Sequence, residues 1–149
     1  MMKVFSTSKS RQNDDELKSS FFDFRKNLWY NGKVLVFYKW YTMIIKELLS
    51  AILERTTHEK YPDIHLNSGY QPLVRNHNGE ITKIETILLN GEETPSPILT
   101  KEMIKNIIIE LAWYNGMDKF MENFELDTSY QYKDNYRYRV NCYIDSNGF

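Results

Sequence analysis

Leu126-Asp127-Thr128-Ser129-Tyr130-Gln131-Tyr132, the turn Lys133-Asp134-Asn135, and then Tyr136-Arg137-Tyr138-Arg139-Val140-Asn141-Cys142-Tyr143-Ile144 decide how this chain folds. Two alternating runs flank three turn-forming residues, the pattern of an antiparallel pair of strands. Period two sends Tyr136, Tyr138 and Val140 to one face and Arg137, Arg139 and Asn141 to the other. Two guanidiniums about 7 Å apart on one sheet face suit a polyanion such as a triphosphate. A solvated polar face over a tyrosine-lined core fits the same pattern, because exposed arginines are common.

Upstream, Ile44, Ile45, Leu48, Leu49, Ile52 and Leu53 recur at helical spacing, with Lys46, Glu47, Glu54 and Arg55 opposite. This predicts an amphipathic helix of about four turns from Met43, stopped at Tyr61-Pro62. Asp63-Ile64-His65-Leu66 alternates like a half-buried strand. Asn67-Ser68-Gly69 is a turn, Pro72-Leu73-Val74-Arg75 begins a second strand, and Asn78-Gly79 marks a hairpin whose return carries Ile81 and Ile84. Residues 90–97 are a loop by composition. Thr100 is an N-cap ahead of Met103, Ile104, Ile107, Ile108 and Leu111, and that helix ends near Asn115-Gly116. Met117 to Phe124 is a shorter helix. From residue 43 the order is α-β-β-β-α-α-β-β, an α+β domain with an antiparallel sheet and flanking helices.

The first 42 residues read differently. Lys3, Arg11, Lys18, Arg25, Lys26, Lys33 and Lys39 against Asp14, Asp15, Glu16 and Asp23 leave them at +3, within a chain whose total is -1. The first twenty are rich in Ser, Lys, Asp and Asn and are predicted to be a disordered arm. Phe21 to Tyr41 is crowded with aromatic and aliphatic residues, and Asn31-Gly32 in its middle predicts a short hairpin. On this reading residues 1–42 are an extension, and the helix and sheet beyond it bury each other without it.

With 149 residues, 42% apolar and 26% charged, the chain has the size and composition of one globular domain. The near-balanced charge gives no reason to expect a nucleic-acid binder held by a basic surface. One cysteine, Cys142, excludes an internal disulfide framework and fits a reducing compartment. No apolar run is long enough for a membrane-spanning helix. Eleven tyrosines and 15% aromatic content point to strands or an interface.

Several chemistries can be weighed residue by residue. A P-loop needs Gly-x4-Gly-Lys-Ser/Thr, yet at Gly32-Lys33 the next residue is Val34 and Asn27 stands where the first glycine belongs. His58, His65 and His77 with Cys142 match no zinc spacing, so no metal site is expected. Cys142 reads as a packed core thiol, with a Cys–His pair as the alternative. Asp63 and His65 share one strand face, as an acid/base pair would; the alternative is that His65 makes a structural hydrogen bond near the turn.

Taken in order, the segments Met43-Ile44-Ile45-Lys46-Glu47-Leu48-Leu49, Asp63-Ile64-His65-Leu66-Asn67-Ser68-Gly69, Pro72-Leu73-Val74-Arg75 with Gly79, Asp127-Thr128-Ser129-Tyr130, and Arg137-Tyr138-Arg139-Val140-Asn141 with Gly148 resemble a known family. They resemble the N-terminal domain of the PilT-type twitching-motility (pilus retraction) ATPases of the type II/type IV secretion superfamily. The resemblance covers residues 43–149. It implies a PAS-like domain set before a RecA-like ATPase domain in a homo-hexamer, cytoplasmic and at the inner face of the envelope, working on a pilus-base platform protein. It implies that ATP lies between the two domains, with the ATPase domain supplying the P-loop, the magnesium ligands and the catalytic carboxylate. Arg75, Arg137 and Arg139 are then the nucleotide-contacting residues, with no catalytic or metal residue and no tightly held cofactor in the chain itself, and with no nucleic-acid partner.

The departures are specific. Pro62 replaces a serine, Asn76-His77-Asn78 lengthens a hairpin by about one residue, Glu85 to Ile98 reads as an insertion, and residues 1–42 have no counterpart. The expected ATPase domain does not follow Phe149, so the chain reads as a fragment, with Met43 a candidate start. The alternatives are a free-standing PAS-like binding module, or the equivalent domain of a type II secretion or pilus-extension ATPase.

Overall fold

The computed structural model describes residues 1–7, 32–112 and 117–145. Helix α1 (Gly32–His58) buries Ile45, Leu48, Leu49, Ile52 and Leu53 on one stripe, the i, i+3, i+4, i+7, i+8 positions of its apolar face. Each such side chain is worth roughly 1.5–3 kcal/mol on leaving water. Arg55 and His58 occupy the last turn, where positive charge suits the helix dipole. The helix closes with Lys60 N donating to Thr57 O (3.2 Å) and Tyr61 N to Thr56 O (3.0 Å). These are the two bonds of a Schellman end, and Lys60 takes the left-handed conformation it requires at φ 57°. Pro62 follows, as predicted.

Five strands of the larger sheet come next or close the chain: β2 (Asp63–Asn67), β3 (Leu73–Arg75), β4 (Ile81–Lys83), β7 (Glu125–Tyr132) and β8 (Tyr136–Asp145). Gly79, at φ 86°, makes the β3–β4 turn. Helix α2 (Lys101–Ala112) starts where Thr100 Oγ1 accepts from Met103 N (3.2 Å), the predicted N-cap. It buries Ile104, Ile107, Ile108 and Leu111, and α3 (Met117–Asn123) buries Phe120. A Lys46–Glu110 pair at 3.2 Å ties α1 to α2.

The sixth strand corrects the reading of the N-terminus. Met2–Thr7 is not part of an arm but strand β1, in the middle of a sheet ordered β4-β3-β2-β1-β8-β7. It runs parallel to both neighbours, with Met2 beside Ile64 on one side and Val140 on the other. The sheet is therefore mixed: β2–β3, β3–β4 and β7–β8 are antiparallel as expected, and the two β1 pairings are not. A six-residue strand disappears inside a polar twenty-residue composition window, which is why the sequence hides it. The expected hairpin at Asn31-Gly32 is also replaced, because Gly32 opens α1 and the aromatic run 33–42 continues that helix. Local β propensity yields there to helical continuity. The rest of the expected arm, residues 8–31, lies outside the described residues, as do residues 113–116 and 146–149.

Residues 90–97 are not a plain loop. Strands β5 (Thr86–Leu89) and β6 (Glu92–Pro95) form a separate antiparallel hairpin joined by Asn90-Gly91. Both turn residues have positive φ (52° and 82°), the requirement of a type I′ turn. Ile87 anchors this hairpin in the core.

The core fills one side of the larger sheet. Met2, Ile64, Leu66, Val74, Leu126, Val140 and Cys142 are buried there with the helices' apolar residues. Tyr132 is buried and Tyr130 and Tyr138 are half-buried against the same core. Tyr138 Oη lies 2.8 Å from Thr57 Oγ1, and Tyr132 Oη donates to Ser50 O at 3.3 Å. The arginines of β8 alternate with these tyrosines and emerge on the opposite, polar side.

Met2 is 0% exposed. Met2→Ala is expected to cost about 2–5 kcal/mol in denaturant-induced unfolding, as for other buried Met-to-Ala changes. Removal of residues 1–42 takes out β1 and the start of α1, so the shortened chain is expected to lose cooperative unfolding. A full-strength transition in that chain would show that β1 is dispensable.

Candidate functional site

Alternation along β2, β3, β7 and β8 builds the polar side of the sheet. Val74 faces the core, so Arg75 faces away; Ile64 and Leu66 face the core, so Asp63 and His65 face away. Val140 and Cys142 do the same for Arg139 and Asn141. All three arginines picked out from sequence therefore share one face.

Their separations differ. Arg75 is opposite Asp63, and Ser129 is opposite Arg139. Because Met2 pairs with both Ile64 and Val140, Asp63 and Arg139 sit level with each other on either side of β1. Arg75 and Arg139 then lie in one transverse row, three strand spacings or about 14 Å apart. Arg137 is two residues from Arg139 on the same strand, about 7 Å away. The structure brings Arg137 and Arg139 together and leaves Arg75 outside the reach of a phosphate held between them.

Each arginine has a partner. Arg139 grips Asp127 with two bonds, Nε to Oδ1 at 3.2 Å and Nη2 to Oδ2 at 2.6 Å. Arg137 Nη2 donates to Ser129 Oγ at 2.8 Å. In register Arg139 faces Ser129 and Arg137 faces Gln131, so both guanidiniums lean one row along β7 toward diagonal neighbours. Arg75 is tied twice, Nε to Asp63 Oδ2 at 3.1 Å and Nη1 to Gly79 O at 2.8 Å. Asp127 and Ser129 were not site candidates from sequence, although counting back from the Lys133–Asn135 turn places them beside the arginines.

The charges respond accordingly. Hydrogen bonds from Arg139 hold the Asp127 carboxyl below its ordinary value of 3.8, with the guanidinium's charge adding to them and slight desolvation opposing. The same hydrogen bonds raise Arg139. At Asp63 burial is the largest single influence and pushes upward. The bonds and charges of Arg75 and the terminal ammonium (3.2 Å away) together outweigh it and leave the carboxyl lowered. Asp63 is thus engaged by Arg75 in an ion pair.

Other candidates disperse. His58 ends α1, His65 lies on β2, and His77 in the β3–β4 turn bonds Glu59 O at 3.1 Å. Among the described residues no three His, Cys, Asp or Glu side chains gather to hold a metal ion. Cys142 is a buried free thiol, pushed up to about 12 by desolvation, which makes it inert as a nucleophile at neutral pH. A cleft of about 270 Å³ lined by Arg55, Tyr61, Lys83, Ile84, Glu85 and Thr86 lies away from the arginine pair. Its cations are matched, Lys83 by Glu85 at 3.5 Å and Arg55 by Glu59 at 4.0 Å. Among the described residues no helix is long and apolar enough to cross a membrane.

No family model matches the chain, and no curated protein or solved structure matches it significantly.

Two outcomes check this electrostatic picture. Asp127 and Asp63 have depressed folded-state values, so the stability they lend is present above about pH 4 and is lost as pH falls through those lowered values. A carboxyl NMR titration is expected to place Asp127 below 3.8 and to return it toward 3.8 in Arg139→Ala. Cys142 is expected to resist thiol reagents at pH 8 in the native chain and to react once unfolded in urea. Rapid native labelling would show that the strand is not buried.

Proposed function

We propose that this chain is the N-terminal domain of a PilT-type pilus retraction ATPase, and that Arg137 and Arg139 contact the phosphates of its ATP. The observation that carries this reading is the pair itself: two exposed guanidiniums side by side on one rigid sheet face, anchored from behind by tyrosines on the core side. An antiparallel pair holds them better than a loop does, and charge-assisted arginine contacts are well suited to phosphate oxygens.

The arrangement of the family-like segments supports the reading. The strand from Asp63, the Gly69 turn, the Leu73–Arg75 strand with its Gly79 turn, and the β7–β8 pair all belong to one sheet with its flanking helices. Glu85 to Ile98, which has no counterpart in the family pattern, supplies the separate β5–β6 hairpin. We read the α+β fold as PAS-like. Strands β2 and β8 flank β1 and run in the same direction.

On this reading a RecA-like domain of the parent chain supplies the P-loop and magnesium ligands, and the parent works as a cytoplasmic homo-hexamer at the pilus base platform. The chain's own contribution is charge: the arginines stabilise the phosphate charge that spreads over the transferred group. Arg75, already bound to Asp63 and Gly79 and about 14 Å distant, is a secondary contact at most.

The test needs the parent. A reading frame downstream of residue 149 is expected to encode Gly-x4-Gly-Lys-Ser/Thr, and the chain by itself is expected to release no phosphate from ATP. In the restored parent Arg139→Ala is expected to lower ATP turnover by about 10³-fold, the scale set by arginines that act on transferred phosphoryl groups. As an exposed residue it is expected to change stability by less than about 1 kcal/mol. Arg137→Ala acts in the same direction, Arg75→Ala less, and Arg139→Lys rescues poorly because an ammonium lacks the planar fork. Wild-type turnover in both alanine variants returns the pair to a solvated surface.

A further inference from the structure

We infer that Asp127 is a positioning residue: it holds Arg139 by one edge of the guanidinium and thereby presents the other edge to a phosphate group. This rests on the proposed role of Arg139 and adds to it a residue that acts through the arginine.

The geometry of the fork carries the inference. A guanidinium has five N–H donors in one plane, one on Nε and two on each Nη. Asp127 takes the Nε hydrogen and one from Nη2, at 3.2 and 2.6 Å, which is the side edge of the fork. The remaining Nη2 hydrogen and the Nη1 hydrogen beside it form the end of the fork, and the second Nη1 hydrogen points along the flank beside Cδ. Among the described residues no other hydrogen bond to the Arg139 guanidinium is made. The side chain is 72% exposed, so that end opens to solvent. Two parallel donors in one plane are what a phosphate accepts.

Orientation matters because a long exposed arginine otherwise samples many rotamers. Fixing it before the anion arrives removes that ordering from the cost of binding. The carboxylate's own repulsion of a phosphate is screened at this exposed position and works against the effect only weakly. Ser129 does a lesser version of the same for Arg137, through one neutral acceptor at 2.8 Å.

The experiment uses the full 149-residue chain and inorganic tripolyphosphate, titrated calorimetrically at an ionic strength of about 0.15 M so that exposed charges are screened, with melting temperatures recorded for every variant. Asp127→Ala is expected to weaken binding about tenfold, Asp127→Asn by less because one acceptor oxygen remains, and both to keep a near-native melting temperature. The effect of Asp127→Ala is expected to vanish in an Arg139→Ala background, since a positioning residue has nothing left to position. If Arg139→Ala weakens binding while Asp127→Ala leaves it unchanged or tightens it, the positioning role is overturned and the arginine's role stands. If Asp127→Ala weakens binding equally with and without Arg139, the positioning role is likewise overturned. If tripolyphosphate does not bind, or binds without regard to Arg139, both readings fall together.

Discussion

The two halves of the larger sheet meet only through Met2–Thr7. Strands β2, β3 and β4 lie on one side of β1 and strands β8 and β7 on the other, and β1 is hydrogen-bonded to both. Burial of Met2 forbids a one-residue slip of this parallel pairing, because such a slip would turn Met2 out of the core. That constraint puts Asp63 level with Arg139 and so sets Arg75 and Arg139 in one row. The relative placement of the arginines follows from the chain's first few residues, far from them in sequence.

The second organising feature is the division of labour along β7 and β8. Tyr132 and Tyr138 fall on the core side, their rings 6.4 Å apart, and their hydroxyls reach Ser50 and Thr57 on α1. A phenol suits this place because its ring fills the core edge while its oxygen finds a partner at the rim. Lys133, in the turn with φ 52°, lies 5.2 Å over the Tyr132 ring and bonds Glu54 at 3.2 Å, closing the hairpin onto the helix. The arginines between the tyrosines are therefore mounted on a strand held from behind.

How much of this is legible in the sequence depends on range. Strands β7 and β8, the Gly79 turn, the Thr100 cap, the stop at Pro62 and the helical stripe from Ile45 to Leu53 rest on local chemistry, and each is found where its residues predict. The sharing of one face by Arg137 and Arg139 is legible for the same reason. Strand β1 is not, because its six residues carry no turn signal or strong alternation, and a parallel partner cannot be read from either strand alone. Asn31-Gly32 and Asn90-Gly91 show the limit of a dipeptide signal. Gly32 opens a helix, while Asn90-Gly91 makes the tight turn inside a stretch that composition marks as a loop. The surroundings decide between them.

The same distinction applies to the site. Residue type and period bring out three arginines, but only the cross-strand register separates their electrical states. Arg75 is held by a carboxylate and a carbonyl, Arg139 by a carboxylate along one edge, and Arg137 by a neutral hydroxyl. Arg137 thus carries the least compensated charge of the three, and Arg139 the most directed one. On the proposed phosphate-contacting reading, an anion near this face is drawn chiefly by Arg137, since attraction at range depends on net charge. Its orientation at contact depends on Arg139, since direction comes from a fork already fixed in plane. Two arginines two residues apart on one strand therefore do different physical work, and Ser129 and Asp127 on the neighbouring strand account for the difference.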